Sequence, residues 1–503
     1  MGTEVLMEPM SKRRMLAGTE GLENLIVQFV DENGDAPFSP FTLPLGSSPQ
    51  ELTLLVKAFL SKSNEDSEDE DVPFTFFVQD YQIKSTLRDA LQAMIVESEK
   101  TLDIIFKPEA IFKVSPVSRC TSSLCGHGEP VIVASFSPNG QYLASGSGDA
   151  TVRFWDLSTE TPHFKCEGHI QWVLALAWAP DGSRLASGDR RGGILLWDPK
   201  TGNKTVGRTL SGHSNFITAL VWEPLHLSGG ESKHFASASK DGDIRIWDIA
   251  GRCLRSLTSH TQNVTCLKWG GSGLIYSASQ DRTIKVWRAS DGTLCRTLQG
   301  HGHWVNVLAL NTDYVIRTGA FDPAKASLLP RSLSSYPKEE LKKSAELRYN
   351  HLIKSAGGTE ILVSGSDDFT LFLWKPETDK KSYARLTGHQ QTVNDVKFSP
   401  DARYIASASF DKSIRLWDGR TGKFMAVFRG HVQAVYQLAW SLDSRLIVSG
   451  SADSTVKLWS VKNKKLHTDL PGHGADVYCV DWSPDGQRVV SGGKDKVLKL
   501  WKK

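Results

Sequence analysis

The feature that most limits how this chain can fold is a histidine–tryptophan register repeated eight times. His127, His169, His213, His260, His301, His389, His431 and His473 are each followed by a tryptophan that closes an apolar run: Trp155, Trp197, Trp247, Trp287, Trp374, Trp417, Trp459 and Trp501. The spacing is 28 residues in five of the eight, and 34, 27 and 73 residues in the third, fourth and fifth. An aspartate stands six residues before the tryptophan in seven repeats, and Arg191 takes its place in the second. A period in this range marks an array of like units rather than one irregular core. Between histidine and tryptophan the first repeat reads VIVASFS, QYLASGS and TVRFWD, separated by the turn signals PNG and GDA. Three short strands follow each Gly-His or its equivalent, and a fourth precedes it, as in FMAVFRGH and CRTLQGH.

A four-stranded unit of about 40–45 residues with this signature resembles the WD40 repeat, whose units form the blades of a β-propeller. The resemblance spans 119–503 and implies a mainly β chain with an eight-bladed ring. In that family the turn aspartate, the histidine and a strand serine or threonine link to the tryptophan indole, so all eight histidines are expected to be structural. Blade two, with Arg191 for aspartate, is expected to lack its acid and to have a looser or functional turn. The last blade ends at Trp501, so the spare strand RCTSSL at 119–124 is expected to complete it. In blade five the spacing fits an insertion at about 312–359 better than a ninth blade without Gly-His or Trp.

Five further tryptophans, Trp178, Trp222, Trp269, Trp440 and Trp482, lie nine residues after a repeat histidine and are expected in the core. Only Trp172 and Trp304 escape both positions. Each lies three residues after its histidine, where the third repeat has Phe216. Near one rim of the channel these three form either a partner-binding patch or packing against the adjacent blade. Arg190, Arg191, Lys240, Lys462, Lys464, Lys465 and Lys494 are candidate basic contacts.

Residues 23–107 break the period. NLIVQFV and FTLPL read as strands, SSPQELTLLVKAFLSKS as a capped amphipathic helix, PFTFFVQD as a strand, STLRDALQAM as a short helix and TLDIIFKP as a last strand. This order resembles a ubiquitin-like β-grasp; 1–22 is expected to be a disordered tail and 108–118 a linker. The acidic run NEDSEDED reads as a solvated loop. The β-grasp followed by FKPEAIFKV, SRCTSSLCGHG, GSGDATVRFWD and SASFDKSIRLWDGRTGKF is similar to the Notchless family of ribosome-assembly WD40 proteins. That resemblance implies a non-catalytic assembly factor for the large ribosomal subunit, in the nucleolus and nucleoplasm, with a family link to Notch signalling. It further implies that the N-terminal domain binds the MIDAS domain of midasin, a large AAA ATPase. There one acidic residue in the loop before the last strand completes the coordination of a Mg²⁺ held by the partner. That acid is Glu99 here, with Glu97 as the neighbouring candidate. Precursor ribosomal proteins, assembly factors and rRNA are the other implied partners, with no cofactor of the chain's own, no small-molecule substrate, and a monomer within a large particle.

Charge divides the chain in the same place. Residues 1–107 carry 9 Lys and Arg against 19 Asp and Glu (−10), whereas 108–503 carry 50 against 37 (+13). A basic body suits phosphate, with salt-sensitive binding. No GxxxxGK[ST], HExxH or GxSxG is present, and the histidines are absorbed by the repeat, so an enzyme is not expected. Seven scattered cysteines offer neither a disulfide framework nor a CxxC pair. No run reaches the ~18 apolar residues of a membrane helix, and MGTEVLMEPMSKRRM lacks an apolar signal core. Ser11-Lys12-Arg13-Arg14 is a short basic cluster compatible with nuclear import. A rival reading is a cullin-ligase substrate receptor or signalling scaffold, because Trp417-Asp418-Gly419-Arg420 fits a WDxR pattern.

Overall fold

Alternation places Val27 and Phe29 of β1 (Asn24–Val30) in a core and leaves Ile26 exposed, the period of a strand with one wet face. The computed structural model describes residues 24–30, 39–49, 51–56, 74–78, 81–83, 86–92, 101–108, 114–322 and 336–502. It divides the chain into two compact units, Met1–Lys113 and Val114–Lys503. In the first, β1 pairs antiparallel with β2 (Phe41–Pro44) and parallel with β5 (Leu102–Pro108). β5 also pairs antiparallel with β3 (Phe74–Val78), which turns back into β4 (Tyr81–Gln82). The order β2-β1-β5-β3-β4 is the mixed sheet of a ubiquitin-like grasp. A capping box starts the helical segment at 51–56: Ser48 N–H donates to Glu51 Oε2 (2.9 Å) and Glu51 N–H to Ser48 Oγ (3.4 Å). Leu52 and Val56, with Leu87 and Leu91 of α1 (Leu87–Gln92), close the core on Phe29, Phe76 and Ile104.

The second unit is a ring of eight antiparallel sheets. Blade one shows the plan, with strand a at Val131–Phe136 lining the channel, b at Tyr142–Ser147, c at Thr151–Asp156 and d at Thr161–Glu167 outermost. The b strands are buried on both faces and are built of small residues because the next blade packs on them. A Cβ added at Gly146 would lie 2.7 Å from Val173 Cγ1 of blade two. Blade two has three regular strands. Isolated bridges Ile194↔Leu210 and Trp197↔Lys204 cover its outer edge.

β6 (Arg119–Leu124) pairs antiparallel with Leu498–Lys502 and is the outer strand of blade eight, so the ring closes as the spare strand predicts. The expected linker at 108–118 needs correction at both ends. β5 runs through Pro108, and 114–118 lies on the ring: Val114 N–H donates to Asp443 Oδ2 (2.9 Å), Ser118 N–H to Lys502 O (2.8 Å), and Val117 is buried.

In blade five, strand a (Val305–Leu310) pairs directly with strand b (Leu362–Ser366), so the long segment between them is an insertion and not a ninth blade. It contains α2 (Asp313–Thr318) and α3 (Lys338–Ser355). Asp313 Oδ2 accepts from Lys268 Nζ of blade four (2.8 Å), and the Arg317 guanidinium donates to Asp481 of blade eight (2.9 Å). Tyr314 O–H donates to Pro484 O (3.2 Å). α2 thus bridges the lower end of the channel, where a cavity of about 350 Å³ remains between it and the inner strands. The insertion is pinned at its base by Glu360. This buried carboxylate accepts from Gly271 N–H (2.8 Å), Thr312 Oγ1–H (2.9 Å) and Tyr276 O–H (3.2 Å). Burial pushes its pKa above the ordinary range despite these donors.

Candidate docking face

The repeat residues form relays. In blade one Trp155 Nε1–H donates to Ser145 Oγ (2.9 Å), Ser145 Oγ is 2.8 Å from His127 Nε2, and His127 Nδ1 is 3.0 Å from Asp149 Oδ2. With the Nδ1 proton on the carboxylate side, Nε2 accepts from the serine hydroxyl, a tautomer assigned from the network. The same relay recurs in all eight blades, through Ser187, Ser237, Ser277, Ser364, Ser407, Ser449 and Ser491. Serine, histidine and aspartate in line look like a hydrolytic triad. Here the serines are fully buried, the hydroxyl proton is directed to histidine and the oxygen takes the indole N–H. Nothing is left to attack a substrate, and the groups serve to satisfy one another. Burial by itself would raise the pKa of Asp149, but hydrogen bonds from His127, Thr151 and Gly128 N–H outweigh it and hold the carboxyl well below its usual range. Burial lowers the pKa of His213 and His473 in spite of their aspartates.

Blade two has its acid after all. Asp189, eight residues before Trp197 and at the end of strand b, places Oδ2 3.0 Å from His169 Nδ1. Its Oδ1 accepts from Arg191 N–H (2.9 Å) and Gly193 N–H (2.8 Å). The turn is tight rather than loose. Gly192 has φ +91°, and a Cβ there would meet His213 O at 2.7 Å. Because the relay acid has moved into the strand, the turn itself is free to carry Arg190 and Arg191, both exposed.

The upper face carries the repeat histidines and the b–c turns. There the Arg190 guanidinium carbon lies 5.2 Å from the Trp172 ring centroid and 4.9 Å from that of Phe216, and Lys240 Nζ lies 5.0 Å from Phe216. Trp172, Arg190, Phe216 and Lys240 form an alternating aromatic–cation ladder over blades two and three. Trp172 brings its indole edge close to Gly148 of blade one, as packing on the adjacent blade requires, while 44 % of it stays exposed. Trp304, 41 % exposed on blade five, stands apart beside His303. Lys462, Lys464 and Lys465 sit at the c–d turn of blade seven on the lower face, away from the ladder, and Lys494 sits in the upper turn of blade eight. In the WDxR segment the Asp418 carboxylate closes its own turn, accepting from Arg420 N–H (3.1 Å) and Thr421 N–H (2.7 Å). Glu97 and Glu99 lie outside the described residues.

Sequence reasoning missed the channel mouth. Phe410, Tyr436 and Tyr478 form a chain of rings with centroids 6.1 and 5.6 Å apart. Tyr436 and Tyr478 join Ile132, Leu174 and Trp172 around a cavity of about 550 Å³. The signal was available at the fifth residue after each histidine. On blades seven, eight, one and two that residue is Tyr436, Tyr478, Ile132 or Leu174; on blades three to six it is Thr218, Thr265, Asn306 or Asn394. The polar set is engaged in clasping the next blade, as in Thr218 Oγ1–H to Val264 O (2.8 Å) and Asn394 Nδ2–H to Tyr436 O (2.6 Å). The remaining arc is left to line the mouth.

The ring matches the WD domain, G-beta repeat family at 118–156, 160–198, 204–248, 251–288, 380–418, 422–460 and 463–502. It also resembles the crystal structure of the computationally designed Ika8 protein, with TM-score 0.58 and 26 % identity over 77 % of this chain and all of that one. Protein Notchless of Drosophila melanogaster is 55 % identical over 75 % of each chain. The chain belongs to the Notchless family. The "Notchless protein homolog" of Arabidopsis thaliana is 51 % identical over 82 % of this chain and 84 % of its own. "Ribosome assembly protein 4" of Saccharomyces cerevisiae is 45 % identical over 81 % of this chain and 80 % of its own. The Notchless-type N-terminal segment matches the NLE (NUC135) domain at 25–91. The matched repeats omit 289–379, where blade five's strands a and b are parted by the insertion that carries α2 and α3.

Proposed function

We propose that this chain is a non-catalytic assembly factor for the large ribosomal subunit, working in the nucleolus and nucleoplasm. The observation that carries the reading is 45 % identity to a ribosome assembly protein across four-fifths of both chains. The ring offers an upper face with an aromatic mouth and a basic ladder for precursor ribosomal proteins, assembly factors or rRNA, and its buried relays hold that face rigid without chemistry of their own. The ubiquitin-like unit presents Glu99, three residues before β5 begins, to the MIDAS Mg²⁺ of a midasin-type AAA ATPase that remodels the particle. Mg²⁺ takes six oxygens at about 2.0–2.1 Å, and a single exposed carboxylate supplies one.

Binding of the full chain to an isolated MIDAS domain, in Mg²⁺ and in EDTA, tests the reading. Binding is expected to vanish in EDTA and in Glu99→Ala, with Glu97→Ala close to wild type. Binding indifferent to both EDTA and Glu99→Ala would overturn the metal bridge.

A further inference from the structure

Blade two departs from the ring's own rule, and the departure has a product. In the other seven blades the turn carries the relay aspartate; here Asp189 takes over from the strand, and two arginines occupy the turn instead. The Arg190 guanidinium then lies over the rings of both Trp172 and Phe216, and Lys240 Nζ also lies over Phe216. A guanidinium held against aromatic rings keeps its five N–H donors along its edge, in the planar fork that fits an oxyanion with two parallel bonds. The nearby acids are already engaged, Asp189 with His169 and Asp241 with His213. At the turn position of Arg190 and Lys240 the flanking blades have Gly148 and Gln280. At that position the cations therefore stand on two adjacent blades, flanked by residues without charge, with Arg282 further along the turn on blade four.

We propose that Arg190, with Arg191 and Lys240, binds an acidic peptide segment of a partner protein, one carboxylate seating on the Arg190 edge while Ile170 and Trp172 receive a neighbouring apolar side chain. Both of the latter are exposed, Ile170 at 68 %, and the Arg190 guanidinium lies over the Trp172 ring. A single-stranded RNA site uses free aromatic faces along a continuous basic groove. Phe216 already has two cations over its ring and Trp172 has one, so these rings offer little free face to stack bases, and a short peptide fits where a nucleotide run does not. The site rests on the reading of the upper face as a docking surface and adds the class of ligand.

The test is fluorescence anisotropy of the full chain with a labelled twelve-residue Glu- and Leu-rich peptide, and in parallel with a labelled oligouridylate, at about 0.1 M salt. The peptide is expected to bind wild type, and Arg190→Ala to weaken it about tenfold or more. Arg190→Lys is expected not to restore it, since a point charge lacks the fork. Arg191→Ala and Lys240→Ala should cost less, and Arg282→Ala, on blade four, nothing. Equal melting temperatures across the variants exclude misfolding as the cause. Wild-type affinity in Arg190→Ala, full rescue by lysine, or Arg190-dependent binding of the RNA but not the peptide would each overturn the proposal. Absence of peptide binding by a wild type that still co-sediments with precursor ribosomal particles overturns this site alone; loss of that co-sedimentation removes the docking reading itself.

Discussion

Asp189 shows how little of a blade's pattern the relay physically needs. The histidine requires a carboxylate within reach of Nδ1, and the turn requires an acceptor for its N–H groups; one acid displaced by two residues meets both demands. Asp189→Ala should leave His169 and two turn N–H groups without their acceptor and cost about 2–4 kcal/mol. Arg191→Ala, at the pattern's nominal acid position, should stay within about 0.5 kcal/mol of wild type. Urea unfolding midpoints of the two variants check this, and the reverse ranking would refute it. Seven relays were legible because aspartate kept its distance from tryptophan. The eighth was hidden because spacing records sequence position, whereas the bond depends on where Oδ2 falls in space. The pair of glycines after Arg191 was the clue, since Gly192 is needed to let the turn close from the strand side. The ladder was half legible in the same way. Trp172 and Phe216 stood out as aromatics left over from the repeat, but that Arg190 would lie over both depended on two neighbouring blades standing side by side.

Among the elements, the blade-five insertion was legible as a helix and illegible as a bridge. The polar run around KEELKKSAELRYNHLIKS has helical spacing and forms α3. α2 is only six residues long, and nothing in TDYVIRTG announces that Asp313 and Arg317 meet Lys268 and Asp481 of two other blades. Those partners become neighbours only when the ring exists. Glu360 anchors the arrangement as an ionisable acid in a fully buried site, raised in pKa because desolvation penalises its charged form. A raised carboxyl stabilises the fold more as pH falls and less as it rises, so ionising it is a cost. Glu360→Gln, which keeps an acceptor and drops the charge, is expected to melt at least as high as wild type at pH 8. Glu360→Ala, which leaves Gly271 N–H and Thr312 Oγ1 unpaired, should lose about 2–3 kcal/mol. Differential scanning calorimetry separates the two, and a Glu360→Gln variant as unstable as Glu360→Ala would show that the charge itself is required.

At the scale of the molecule, β6 closes the ring, because blade eight takes strands a to c from its own repeat and its outer strand from the other end of the array. A chain starting at 126 is expected to melt at least about 5 °C below one starting at Val114 and to associate through the uncovered edge. Equal melting temperatures would count against closure as a source of stability. The same borrowed strand also sets an order of events during synthesis. β6 emerges from the ribosome well before its partner Leu498–Lys502, which lies roughly 375 residues further along the chain. At about 5–20 residues per second, roughly 20–75 s separate the two. Through that interval the nascent array is an open arc with an unpaired strand at its leading end, and the ring can close only after Leu498–Lys502 has emerged to meet it.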